Sequence, residues 1–215
     1  REARAVAKLN HENIIQGIDV GVASGFYYFV MEFVDGKPVS KTLSEAGTLA
    51  EKKALSICGQ IARALEHANK HKLVHRDVKP ENMMMTAEGV AKLCDLGLAK
   101  QESGDAGLTQ AGLSVGTPNY ISPEQARGEG DVDIRSDLYS LGASLYHMLT
   151  GKVPFEGGVP SVVMTKHITE ALVPPVKHRP ELSPEANAIV LKAMEKKRED
   201  RYQEPGSMAT DLEAA

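Results

Sequence analysis

Four side chains in one short stretch, Asp77, Lys79, Asn82 and Asp95, are of the types that bind cations or move protons. His75-Arg76-Asp77-Val78-Lys79-Pro80-Glu81-Asn82 runs into Met83 to Thr86, a turn at Ala87-Glu88-Gly89, Val90 to Cys94, and then Asp95-Leu96-Gly97. The flanks suit strands and the glycine suits a tight hairpin turn. With Glu88-Gly89 as a two-residue turn, Ala87 pairs with Val90, Met84 with Leu93 and Asn82 with Asp95. An amide oxygen and a carboxylate then face each other at the open end of the hairpin, roughly 5 Å apart at the Cα level. A small hard cation fits just beyond them, completed by phosphate oxygens and water. On the incoming loop, Asp77 can take a proton from a nucleophile facing that phosphate, and Lys79 adds positive charge for a transferring group.

The order H-R-D-x-x-x-x-N followed by D-x-G, here HRDVKPEN and DLG, resembles the catalytic and metal-binding loops of the eukaryotic-type protein kinases. The fold this resemblance implies is α+β, with a helical C-lobe over 35–215 and a remnant of a β-rich N-lobe over 1–34. The implied reaction is transfer of the ATP γ-phosphoryl group to Ser or Thr hydroxyls of a protein substrate. Asp77 is then the base, Lys79 the charge stabiliser, and Asn82 and Asp95 the Mg²⁺ ligands. Lys79, two residues after Asp77, resembles the serine/threonine rather than the tyrosine branch. GTPNYISPEQARG is similar in style to bacterial members.

The elements that must position these groups are visible along the chain. Arg1 to Leu9 is rich in helix formers, and Glu2 falls where the family places the glutamate that pairs with a strand lysine. Ile18–Val22 and Phe26–Val34 read as a hairpin around Ala23-Ser24-Gly25. Its end, Met31-Glu32-Phe33-Val34, resembles the family's gatekeeper and hinge, with the backbones of Glu32 and Val34 on adenine and Met84 beneath it. Thr48-Leu-Ala-Glu51 reads as a capping box for a helix with an apolar stripe from Ala54 to Ala68. His75 is expected to be a packed structural residue.

Residues 101–116 lack hydrophobic periodicity and read as a loop. With Gly116-Thr117-Pro118-Asn119-Tyr120-Ile121-Ser122-Pro123-Glu124 they resemble the activation segment. Thr117 is implied as a substrate-positioning threonine, Arg76 as the partner of a phosphate on Ser103, Thr109 or Ser114. Asp133 to Asp137 opens a strongly apolar helix, and by resemblance Asp137 accepts hydrogen bonds from the catalytic-loop backbone. Arg201 is implied as the partner of Glu124.

Composition sets the frame. The chain has 215 residues, is 42% hydrophobic and 25% charged, and carries a net charge of −4. That describes a globular protein without the basic excess of a nucleic-acid binder. No apolar run is long enough to span a bilayer. Cys58 and Cys94 lack metal-ligand spacing and read as small buried hydrophobes of a reducing compartment. The expected location is cytoplasmic, with any membrane link through segments outside this chain. Neither a phosphate-covering Gly-rich loop nor the lysine partner of Glu2 is found, so the chain reads as a fragment expected to have little activity alone. Leu96 stands where D-F-G has Phe, and Gly17 where many kinases have a bulky residue. Two rival readings are a non-catalytic pseudokinase-like scaffold and a Mg²⁺-dependent phosphohydrolase.

Overall fold

The computed structural model describes residues 9–95 and 118–215. Glu2, Leu96, Gly97, Ser103, Thr109, Ser114 and Thr117 lie outside the described residues, as do the expectations attached to them.

The described core is built round one helix, Ile134–Thr150 (α4). Leu138, Tyr139, Leu141, Ala143, Leu145, Tyr146, Met148 and Leu149 are all buried. Those positions cover the whole circumference, so the helix is interior rather than amphipathic. Asp133 caps its first turn by accepting from the Arg135 N–H at 2.9 Å, and Gly151 ends it in the left-handed region at φ 71°. The hydroxyls of Ser140 and Ser144 are buried but donate to the carbonyls four residues back.

Glu51–Lys70 (α2) packs along α4 through the stripe from Ala54 to Ala68. Pro184–Ala193 (α7) crosses α4 at Gly142. A Cβ on Gly142 would stand 2.6 Å from Ala193 Cβ and 3.2 Å from Met194 Cγ. Gly142→Ala is therefore expected to cost about 1–3 kcal/mol by overpacking, read as a lower urea midpoint with an unchanged slope. Ser183 caps α7 by accepting from the Ala186 N–H at 3.0 Å, with Pro184 at the first helical position. Pro205–Ala214 (α8) closes the bundle against α2, where Arg63 holds Glu213 by two bonds of 2.9 and 2.7 Å.

The described strands form two small sheets. Gly17–Ala23 (β1) and Phe26–Met31 (β2) make an antiparallel hairpin turned by Ser24 and Gly25, both at positive φ. Gly36–Pro38 (β3), Met83–Thr86 (β4) and Ala91–Leu93 (β5) make the other, in the order β3-β4-β5. The segment before β1 is fastened to β5 by Leu93 N–H to Asn13 O at 2.8 Å and Ile15 N–H to Leu93 O at 2.9 Å.

Three local expectations are corrected. The β4–β5 register is Met83 with Leu93 and Met84 with Lys92, one residue away from the pairing set by a two-residue turn. The Thr86 N–H bonds to Val90 O at 3.0 Å, and Gly89 sits at φ 88°. A two-residue turn of the favoured type needs positive φ at both positions, which Glu88 resists. A three-residue loop places only its last residue there, and that residue is glycine. Asn82 therefore faces Cys94, whose N–H bonds to Asn82 O at 2.9 Å, and not Asp95.

Strand β2 stops at Met31 instead of Val34. The cap of α2 is Ala50 rather than Thr48. Leu49 is buried and donates its N–H to Met148 O at 2.8 Å, which delays the helix start, and the Glu51 carboxylate accepts from the Ser183 N–H instead. Finally, β3 and the helix Val39–Ala46 (α1) carry no expectation from sequence. Gly36 lets β3 approach the Met85 carbonyl more closely than any Cβ allows.

Candidate active site

The loop from His75 to Asn82 is set by alternation of buried and half-exposed residues. His75 and Val78 enter the core, while Asp77 and Lys79 stay at the rim. His75 Nε2 lies 2.7 Å from Cys94 O, and its Nδ1 accepts from the Asp77 N–H at 3.2 Å. A carbonyl takes only a donor and an N–H needs an acceptor, so this neutral ring carries its proton on Nε2. His75 thus ties β5 to the loop of residues 75–82 and is packed within the fold.

Below the loop, the buried Asp137 carboxylate accepts from the His75 and Arg76 N–H groups, each at 2.7 Å. Burial pushes this carboxyl up, and the two N–H donors together with the Arg76 charge pull it part of the way back. The anchorage is needed because Arg76 is held at φ 68°, a left-handed conformation uncommon for a residue with a Cβ.

Three of the expected residues meet at one carboxylate. Lys79 Nζ is 2.6 Å from Asp77 Oδ2. Asn82 Nδ2 donates to the same Oδ2 at 3.0 Å and to Asp77 O at 2.8 Å. Asp77 Oδ1 and Asn82 Oδ1 are left without partners among the described residues. A short 3₁₀ turn, Pro80–Asn82, delivers the buried Asn82 into position. Asp95 follows β5 at φ 59° and is exposed. Beside it the half-buried Cys94 thiol is pushed up to about 11, by burial first and then by Asp95.

On the opposite rim, the Glu32 carboxylate takes Lys92 Nζ at 2.7 Å and the Gln16 N–H at 3.1 Å, while its own N–H bonds to Gln16 O at 2.9 Å. No backbone partner is found for the Glu32 carbonyl or the Val34 N–H among the described residues. Met84 is half-buried on β4 between Pro38 and Lys92. Sequence reasoning missed Lys92, because a pair separated by 60 residues leaves no local spacing to read.

The far wall is Pro123–Ala126 (α3), capped by Ser122. Glu124 and Arg201, both buried, form a two-pronged ion pair at 2.8 and 2.9 Å. Glu124 also accepts from the Ser136 hydroxyl. Burial would raise the Glu124 carboxyl, yet Arg201 and Ser136 outweigh it and hold it below the usual carboxylate range. Before α3, the chain at 118–121 is held by two histidines. Tyr120 Oη lies 2.7 Å from His147 Nδ1. His167, on the helix Pro160–Thr169 (α5), has Nε2 3.1 Å from Asn119 O and Nδ1 2.9 Å from Tyr139 Oη.

Burial first, and Lys196 second, push the His167 imidazole down to about 3. Between that value and its ordinary 6.5 the unfolded chain binds a proton that the native state refuses, so stability falls as the pH drops through this window. Urea midpoints measured from pH 6.5 to 4.5 are expected to fall more steeply for the native chain than for His167→Gln. The difference approaches about 1.4 kcal/mol per pH unit. Equal slopes would show that His167 is not held neutral.

The protein kinase domain model matches residues 1–211. The chain is 42% identical over 213 residues to a probable serine/threonine-protein kinase of Clostridium perfringens, covering 99% of this chain and 31% of that protein. It is 41% identical over 218 residues to serine/threonine-protein kinase PknB of Mycolicibacterium smegmatis, covering 99% and 35%. The chain thus spans about a third of the length of these curated relatives. Among solved structures, Rad53 1-466 in complex with AMP-PNP superposes with a TM-score of 0.81 at 25% identity, over 97% of this chain and 52% of that one. With the family model spanning nearly every residue, and with bacterial serine/threonine kinases matched from end to end of the chain, this protein belongs to the protein kinase family, as a eukaryotic-type serine/threonine member of bacterial kind.

Proposed function

We propose that this chain is the catalytic part of an enzyme that transfers the ATP γ-phosphoryl group to serine or threonine hydroxyls of protein substrates. The convergence of Lys79 and Asn82 on one oxygen of Asp77 carries this reading. With Oδ2 fixed at 2.6 and 3.0 Å, the Asp77 carboxylate cannot rotate, and Oδ1 is the oxygen that receives the acceptor hydroxyl. Asp77 orients that hydroxyl towards phosphorus and takes its proton as the new bond forms. Lys79 has its ammonium beside the reacting centre, where it offsets charge gathering on the transferring phosphoryl oxygens.

The residues fit a Mg²⁺ site. Asn82 spends both amide hydrogens on Asp77, leaving a carbonyl oxygen, and Asp95 adds an exposed carboxylate. Two protein oxygens are what Mg²⁺ usually takes, with water and phosphate completing the shell. When bound, the ion neutralises phosphate charge. The Glu32 carbonyl and Val34 N–H form a donor–acceptor pair for the adenine edge, over Met84. Arg76 is the partner for a phosphate on the segment before Thr117, and Thr117 a substrate-positioning residue.

We also assign 1–34 to a smaller lobe and 35–215 to a larger one. Phe26, Tyr27 and Phe33 are 78, 88 and 89% exposed. So much open aromatic surface on the β1–β2 hairpin and just after it supports further polypeptide covering it in the working enzyme. The test is ATP- and Mg²⁺-dependent phosphate transfer to a serine- and threonine-bearing basic protein. It uses the longest native polypeptide carrying this chain, with Asp77→Asn beside it. Transfer is expected on serine and threonine, lost in the variant and small in the 215-residue chain alone. No transfer from the longer polypeptide would overturn the reading in favour of a scaffold.

A further inference from the structure

Arg76 is the residue before Asp77, and its left-handed backbone at φ 68° sets the direction in which Asp77 leaves the loop. Such a conformation persists only where the surroundings over-determine it. Asp137 holds the N–H side of this residue at 2.7 Å. Its carbonyl is held separately: Gln125 Nε2 donates to Arg76 O at 2.8 Å.

The other end of the Gln125 amide is also engaged. Oε1 accepts from the Ser122 N–H at 3.2 Å and from the Ser122 hydroxyl at 3.0 Å, while the Gln125 N–H donates to Ser122 Oγ at 3.3 Å. The orientation of this amide follows from its partners. A backbone N–H can only donate and a carbonyl can only accept, so a flipped amide would lose both bonds. One side chain therefore closes the cap of α3 and reaches across to the catalytic loop. The helix it sits on is itself immobilised by the neighbouring Glu124–Arg201 pair.

We propose that Gln125 is a positioning residue for the phosphotransfer reaction, fixing the Arg76 peptide and hence the aim of Asp77. It makes the placement of the 118–126 segment a direct determinant of the base, through a neutral amide and independently of any charge on the Arg76 guanidinium. The catalytic consequence rests on the kinase reading above; the clamp itself does not.

Gln125→Glu separates the two ends. The substitution keeps side-chain length and the oxygen that caps α3, but puts a second carboxylate oxygen against the Arg76 carbonyl, where no proton joins them. Amide hydrogen exchange at Arg76 and Asp77, normalised to core amides of α4, is expected to quicken about fivefold, the effect of losing one modest hydrogen bond. In the longest native polypeptide, kcat is expected to fall about tenfold with KM for ATP unchanged, as for a displaced catalytic group. Ser122→Ala serves as the converse variant. It weakens the cap and lowers the melting temperature but leaves exchange at Arg76 and Asp77 as in the native chain.

Native exchange rates at both amides in Gln125→Glu would overturn the clamp. Quickened exchange with native kcat would overturn the positioning role. Quickened exchange in a polypeptide that transfers no phosphate even without substitution would leave the clamp standing and remove the kinase reading. The normalisation to α4 keeps the exchange result interpretable if Gln125→Glu also lowers global stability.

Discussion

Asp77→Asn, introduced into the longest native polypeptide carrying this chain, is expected to lower kcat for phosphotransfer by about 10²–10⁴-fold with little change in melting temperature. The substitution preserves shape. Asparagine can present its oxygen to Lys79, now 2.6 Å from the carboxylate, or to Asn82, but its other terminus is an NH₂ group that can neither accept the substrate hydroxyl nor take its proton. Stability changes little because the Asp77–Lys79 pair is partly open to solvent, with side chains 46 and 32% exposed, and such pairs contribute about 0–1 kcal/mol. Steady-state phosphotransfer and thermal unfolding on the same preparation check both halves. A variant with native kcat would remove Asp77 from the base's role, whereas one that also unfolds early would show that the carboxylate is structural.

Arg201→Ala is expected to cost about 3–5 kcal/mol of folding stability, the largest loss from any single side chain discussed above. All five guanidinium hydrogens are used. Two go to the Glu124 carboxylate at 2.8 and 2.9 Å, and the others to the carbonyls of Glu195, Arg135 and Lys196 at 2.7, 3.1 and 3.0 Å. The side chains of Arg201 and Glu124 are 0 and 1% exposed. Truncation leaves a buried carboxylate with Ser136 as its remaining side-chain partner among the described residues, together with three carbonyls short of a donor. Lysine is not a substitute, because it cannot present two parallel donors to a carboxylate, so Arg201→Lys is expected to recover less than half of the loss. Urea unfolding followed by far-ultraviolet circular dichroism reads both values; a loss below about 1 kcal/mol for Arg201→Ala would contradict the account.

The sequence was most informative where chemistry and spacing are local. HRDVKPEN names its own cluster, and Asp77, Lys79 and Asn82 meet because five residues of loop and one 3₁₀ turn suffice to join them. The apolar character of α4 was also legible, since burial is written in residue type. What failed was decided by tertiary contact or by backbone conformation. Thr48 carries a good capping pattern, but Leu49 is drawn to Met148 O. The β4–β5 register turned on whether Glu88 or only Gly89 takes positive φ, a choice that moved Asn82 opposite Cys94. Long-range partners such as Lys92 with Glu32 or His167 with Asn119 leave no trace in spacing. The Ser122-x-x-Gln125 pattern does announce a capping box; its second use, on Arg76, appears only in three dimensions.

The closure of α8 on α2 bears on how such a chain is made. Arg63 and its partner Glu213 are 150 residues apart. At a synthesis rate of roughly 5–20 residues per second, that interval is on the order of ten seconds. During it the face of α2 that α8 later covers has no cover on the nascent polypeptide, and Leu212, which lies beside Gly59 in the finished fold, has yet to be added. The helical lobe is thus completed only after its last helix clears the ribosome. Until then the open α2 face is the surface a cellular holdase would meet first.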